Sequence, residues 1–291
     1  MIVADAIFFY EPFSDFGLFS GGDWRFSTPL ENLIDPDIGR VARSTDAAAT
    51  STVIDVDLGR GQLVGGVVAG PINISNGAQW QITAFDDADH ATVIYTSGLQ
   101  TTGGTIVEST DLEWEDPGFW DGNPDYTDDD GLPFYAYHVV ASGPILSQYW
   151  RVEIIDENNA DGYIQIGRLM ICRAWQPSHN YDYGDNPISL EPLFDVSESL
   201  GGREDYWERG MRRTWRCVFS QLPLPEDELF SDVLRMMLRS GAAGQMFVVP
   251  DSDDNVSGRR RSFLCRYKQI PSIQQIMFGL GSTAFDLKEV L

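Results

Sequence analysis

The sequence predicts an all-β, mostly antiparallel protein: a sandwich in the N-terminal part, then a smaller β-rich domain with one helix. Three observations carry this. Short stretches of alternating apolar and polar residues recur at roughly 8–12-residue spacing, about eight of them, the pattern of a sandwich or jelly roll. Only one stretch, from Pro225 to Arg239, has helical periodicity. A chain of 291 residues also exceeds the usual size of a single domain.

The elements follow in order. Residues 1–29 form an N-terminal arm or strand rich in aromatic side chains (IFFYEPFSDFGLFS). Phe8, Phe9, Phe13, Phe16 and Phe19 need a partner surface, because so short a segment cannot bury them alone. Residues 30–173 form the sandwich. In Ser51–Leu58, Ile54, Val56 and Leu58 share one face and Val53, Asp55 and Asp57 the other. Leu63–Ala69 is an apolar buried strand. Ala78–Phe85 places Trp80, Ile82 and Ala84 on one face. Thr92–Thr96, Tyr149–Ile155 and Tyr163–Cys172 complete the set. An acidic Gly- and Pro-containing insertion, 111–131, interrupts it as a long surface loop.

Residues 174–190 are the expected linker, and 191–291 the second domain. There Trp207–Phe219 ends in a strand, and Gln245–Pro250, Arg260–Gln269 and Ala284–Val290 are further strands. The helix, about 225–239, opens on Pro225 with acids in its first turn. It closes with Arg235 and Arg239 before Gly241. Leu229, Val233, Met236 and Met237 fall on its core face.

Charge divides the chain unevenly. Residues 1–180 hold 7 Arg and no Lys against 27 acids, a net of −20; residues 181–291 hold 13 basic against 17 acidic residues, a net of −4. The overall charge of −24 argues against nucleic acid and anionic membranes as partners, since like charges repel at long range. No apolar run reaches membrane-spanning length, and no membrane insertion is expected. Met1–Tyr10 has no basic residue and carries Asp5, so synthesis in a cytoplasm without a secretion signal is expected. Cys172, Cys217 and Cys265 are odd in number and widely spaced, which predicts reduced thiols.

Asn32-Leu33, Asp35-Pro36, Arg43-Ser44, the strand Ile54-Asp55-Val56-Asp57-Leu58-Gly59 and Asn73-Ile74-Ser75 resemble the galactose-binding-like, discoidin-type jelly roll. Tyr149–Ile155 and Tyr163–Ile171 fit that family's closing strand pair. Residues 188–291 resemble tail-tip and distal-tail proteins of tailed bacteriophages. The features are the strand Tyr206–Phe219, a short helix, then MFVVPDSDDN and RRRSFLCRYKQIP. The second resemblance implies a structural protein of a virion tail, made in the host cytoplasm, that assembles into a trimeric or hexameric ring. Tail-tube, hub and tape-measure proteins would be its partners, and a host-surface glycan a candidate ligand. A stand-alone carbohydrate-binding module is the alternative.

No catalytic or cofactor residue is assigned. Asp121, Asn123 and Asp125 have the spacing of calcium oxygen ligands, but Tyr126 and Leu132 stand where an EF-hand needs Gly and Glu. Calcium is therefore a weak candidate. Asp111, Glu113, Glu115 and Asp116 could be read as glycosidase carboxylates. They lie on a loop rather than a rigid scaffold, and acids are everywhere in this half. His90, His138 and His179 lack metal-ligand spacing. Trp114, Trp120 and Tyr126 are candidates for stacking on sugar rings. Arg259–Arg261, just after Asp251, Asp253 and Asp254, are expected to form ion pairs. Arg203, Arg209, Arg212, Arg213 and Arg216 are expected on one side of an interface between copies, with Glu226, Asp227 and Glu228 on the other.

Overall fold

The computed structural model describes residues 6–75, 77–102, 114–115, 132–140, 143–184, 186–198, 202–223, 228–254 and 258–291. The chain divides into two compact units. One comprises Pro12–Ala174 with Asp253–Arg260; the other comprises Met1–Glu11, Trp175–Ser252 and Arg261–Leu291.

The first unit is an antiparallel jelly-roll sandwich. One sheet has the order Leu18–Ser20, Val53–Val64, Ile145–Ile155, Gln79–Phe85, Val93–Thr96. The facing strands are Leu169–Trp175, Gly66–Ala69 and Ala136–Val139. The sequence periodicity explains the assembly. Trp150 lies opposite Val56 on one side and Ala84 on the other; Val152 likewise lies between Ile54 and Ile82. These side chains, with Val67, Ala69, Leu169 and Ile171, form one buried cluster. Burial of each large apolar side chain contributes about 1.5–3 kcal/mol. The partner residues Asp55, Asp57 and Arg151 are left on the outer face.

Two expected strands are split. Leu63–Ala69 breaks at Gly65, where a Cβ would come within 2.5 Å of the Ala174 backbone nitrogen. Tyr163–Cys172 divides into Gln165–Ile166, which pairs with Ala42–Arg43, and Leu169–Trp175, which pairs with Gly66–Ala69.

The second unit is an antiparallel sheet in the order Ile188–Glu198, Glu204–Pro223, Leu280–Glu289, Phe263–Gln269, Met246–Val249, Ile7–Tyr10. Ile273–Met277 pairs with Leu280–Glu289. The first strand of the chain, within the expected N-terminal arm or strand, pairs with Met246–Val249 and buries Phe8 and Phe9. Trp175 and Tyr181, in the expected linker, pack in the same aromatic core. Trp175 lies 5.2 Å from Phe8 and Tyr181 meets Trp215 edge-on at 5.5 Å. The helix begins as a π-helical turn over Glu228–Val233 and continues as the α-helix Leu234–Ser240. Leu229, Val233 and Met236 are fully buried on its inner face, as their spacing predicts, and Met237 is packed at the edge. Arg260–Gln269 is not a continuous strand: a helical turn, Gly258–Arg261, precedes Phe263–Gln269.

Candidate binding and assembly surfaces

One exposed feature arises from two strands. Glu204–Pro223 pairs with Leu280–Glu289 only from Thr214 onward. Its earlier part, Glu204–Arg213, pairs with Leu190–Glu198 alone. These residues form a two-stranded ribbon running beyond the sheet.

Alternation decides the ribbon's faces. Ile188, Leu190, Pro192, Phe194 and Val196 share a face, because every second residue of a strand points the same way. Ile188 lies opposite Trp215, whose side chain is in the core. That face therefore continues the core side of the sheet outward, where Leu190, Phe194 and Val196 are exposed.

The opposite strand holds a bulge. Leu193 pairs with Gly210 and Phe194 with Glu208, so residue 209 is extra. Gly210 sits at φ 120°, a backbone conformation that favours glycine. The added residue changes the strand's parity. Tyr206, not Trp207, then lies opposite Val196 on the apolar face, with its ring 5.9 Å from Phe194. Phe194 and Tyr206 remain 50% and 64% exposed, and Leu190, Val196 and Met211 are exposed as well. An isolated two-stranded ribbon is marginal in water, and a run of large apolar side chains on it marks an interaction surface.

A second apolar projection is the tip of the hairpin between Ile273–Met277 and Leu280–Glu289. Phe278 is fully exposed there beside Ile276 and Met277. A third lies on the outer face of the helix. Phe230, Leu234 and Leu238, with Arg235 and Arg239, line an open groove of about 430 Å³.

The arginines expected at an interface fall into different environments. Arg213 is a correction. It lies on the core-facing parity of its strand, 2% exposed, and pairs with the fully buried Glu289 through Nη2 and Oε1. Its backbone N–H donates to Glu289 Oε2 at 2.7 Å and its Nη1 to the Ser262 carbonyl at 3.2 Å. The guanidinium also lies over the Phe263 ring at 5.1 Å. Such a group cannot meet a neighbour without unfolding its own unit.

Arg212 is likewise engaged within its own ribbon, with Nε and Nη2 donating to Glu191 Oε2 at 3.0 and 2.9 Å. Its guanidinium holds the Glu191 carboxyl below the usual carboxylate range. Arg203 and Arg216 are exposed. Arg209 and Glu228 are placed by their backbones, while Glu226 and Asp227 lie outside the described residues. Arg261, in the expected ion-paired segment, is 3.5 Å from Asp251.

Of the candidate sugar-stacking residues, Trp114 is exposed; Trp120 and Tyr126 lie outside the described residues. So do the calcium candidates Asp121, Asn123 and Asp125 and the loop carboxylates Asp111, Glu113 and Asp116. Among the described residues no group of three or more His, Cys, Asp or Glu side chains is arranged to hold a metal.

Carboxylates within the sandwich bond cations and amides. Asp55 receives two hydrogen bonds from Arg151, at 2.6 and 3.0 Å, and Arg151 also donates to His90 Nδ1 at 2.8 Å. The His90 ring packs tilted against Phe85, with centroids 4.6 Å apart. Asp15 is bridged by Arg168 at 2.8 and 2.9 Å, yet burial outweighs that cation and pushes its carboxyl up. Asp156 accepts from the Ser75 N–H and from Asn159 Nδ2, both at 2.8 Å.

A further polar group escaped the sequence reading. Arg25 and Arg43 lie over the Tyr163 ring at 5.0 and 4.3 Å, and Arg43 Nε donates to Gln165 at 3.1 Å. The three cysteines are buried and free, and burial pushes all three thiols up.

No protein family and no curated protein matches the sequence. Solved structures show likenesses at low sequence identity. A family 32 carbohydrate-binding module of NanJ from Clostridium perfringens, in complex with galactose, is 14% identical, with a TM-score of 0.36 over 58% of this chain and 99% of that one. The lectin domain of lectinolysin, complexed with Lewis B antigen, is 13% identical, with a TM-score of 0.35 over 56% of this chain and 96% of that one. A family 32 module of AlyQ, in complex with 4,5-unsaturated mannuronic acid, is 15% identical, with a TM-score of 0.34 over 56% of this chain and 96% of that one.

Proposed function

We propose that this chain is a non-catalytic assembly and attachment protein, in which the unit bearing the ribbon joins copies together and the sandwich presents a binding surface. The observation that carries this is the apolar face formed by Leu190, Phe194, Val196, Met211 and Tyr206, exposed on two strands that no third strand among the described residues supports. Each such half-exposed side chain contributes about 1 kcal/mol when fully covered. The charge of the N-terminal half keeps neighbouring sandwiches apart and solvated.

The setting supported by the resemblance of residues 188–291 is a ring in the tail of a phage-like particle, with other tail proteins above and below. The ligand supported by the galactose-binding-like fold is a host-surface glycan. Joined copies would hold a repeating glycan more tightly than one copy does, because the second contact becomes intramolecular.

Sizing with light scattering tests the assembly. The parent chain is expected to form a defined oligomer, and Phe194→Asp to give a folded monomer. A parent that stays monomeric at high micromolar concentration would refute the reading. A stand-alone glycan-binding module is the second reading, favoured by the exposed Trp114 on the sandwich insertion. Glycan-array binding by the Phe194→Asp monomer, undiminished relative to the parent, would support it.

A further inference from the structure

The assembly reading leaves open what covers the ribbon, and the inference drawn here rests on that reading. The groove on the outer face of the helix has the complementary character. It is lined by the apolar Phe230, Leu234 and Leu238 and by Arg235 and Arg239, and Arg239 Nε already pairs with Glu11 at 3.1 Å, which leaves Arg235 as the cation for a partner. Phe230, in the π-helical turn, and Leu238, in the α-helix, are both strongly exposed. The distal ribbon is apolar and acidic. Between Phe194 and Glu208 the sequence holds Asp195, Glu198, Glu204, Asp205 and Glu208 against Arg203 alone.

Glu204 is the acid best placed for such a contact. Two residues before Tyr206 on the same strand, it shares the apolar face, and its carboxylate accepts a hydrogen bond from the Tyr206 hydroxyl. The ribbon's apolar side chains are exposed, so its own groove does not cover them.

We propose that the ribbon of one copy docks in the helix groove of the next, with Phe194, Val196 and Tyr206 against Leu234 and Leu238 and Glu204 facing Arg235. The polarity is the reverse of the one expected from sequence, where arginines of the strand were to meet acids of the helix. A contact between two different patches is heterologous. It closes into a ring when the rotation between copies permits and otherwise continues as a filament. Neither patch is self-complementary in charge, so a two-fold dimer through either one alone is disfavoured.

A mixing experiment with full-length chains tests this. Phe194→Asp spoils the ribbon and leaves the groove; Leu238→Asp spoils the groove and leaves the ribbon. Both positions are exposed, and circular dichroism with thermal melting checks that each variant remains folded. Each variant alone is expected to be monomeric. Mixed, they retain one intact ribbon and one intact groove and should form a one-to-one dimer that grows no further. Charge exchange gives a second readout. Arg235→Glu and Glu204→Lys are each expected to weaken assembly by roughly tenfold or more, and combining them in one chain should recover most of the loss.

A Leu238→Asp chain that assembles like the parent would overturn the groove assignment and leave the assembly reading standing. A mixture that stays monomeric would overturn the heterologous pairing. A parent chain that never assembles would remove the assembly reading itself.

Discussion

Arg213→Met removes one half of a buried ion pair while keeping most of the side chain's length. In the native unit Arg213 and Glu289 are 2% and 0% exposed. The substitution leaves Glu289 with the backbone N–H of residue 213, now without its cation. Breaking a buried pair in this way costs about 3–5 kcal/mol, because a charge stays desolvated and uncompensated. For a unit of this size that loss corresponds to a fall of roughly 10–20 °C in its melting temperature. Adding Glu289→Leu should restore most of the loss, since neither charge is then held away from water. Arg212→Met, at the exposed Glu191 pair, should cost under about 1 kcal/mol. Scanning calorimetry of the four chains decides the matter. An Arg213→Met unit that melts within a few degrees of the parent would refute the burial argument. So would a double variant as unstable as the single.

Three further outcomes are expected. Gly210→Val places a β-branched residue at φ 120°, where glycine is favoured. It should disturb the bulge that brings Tyr206 to the apolar face and so weaken assembly, with a cost of about 1–3 kcal/mol to the ribbon's unit; sizing and melting curves separate the two effects. His138 is buried and 2.7 Å from the Tyr95 hydroxyl, and desolvation lowers its pKa from the usual 6.5. Below that value the unfolded chain binds a proton more readily than the folded one, so sandwich stability should fall as pH drops below 6.5. Melting curves kept above about pH 5, clear of most carboxylate titration, should show this slope in the parent and lose it in His138→Gln. Cys172, Cys217 and Cys265 are buried with raised pKa values, so a thiol reagent should label none of them in the native protein and all three after denaturation.

Most of the sandwich was legible because period-two patterns were clean. Ile54, Val56 and Leu58 against Asp55 and Asp57 define their faces without any tertiary information, as do Trp80, Ile82 and Ala84. The helix was equally plain from Leu229, Val233 and Met236. What escaped depended on partners distant in sequence. Nothing in Ile7–Tyr10 announces pairing with Met246–Val249, and an apolar run of four residues fits an arm as well as a strand.

The ribbon was missed for a local reason. Pro192 argues against a strand, since it lacks an N–H for the ladder. Among the described residues Ile188–Glu198 is an edge strand paired on one side, where proline is tolerated. The arginine cluster misled because charge was read apart from parity. Arg213 shares its register with Trp215, Cys217 and Phe219, all of them core residues. Alternation alone turns it inward, where a buried cation requires a carboxylate partner.

How assembly proceeds depends on what one contact gains. Covering one ribbon gains about 1 kcal/mol for each of Leu190, Phe194, Val196, Met211 and Tyr206. Loss of translational and rotational freedom on association is worth about 4–15 kcal/mol. One ribbon-to-groove contact is therefore a weak link. A closed ring changes the balance, because its last subunit makes two contacts while losing its freedom once. Assembly should then be steep in concentration, passing from monomer to ring with few open intermediates. Sedimentation velocity across a dilution series that showed a gradual ladder of dimers and trimers would contradict closure. A single fast species in exchange with monomer is the expected pattern.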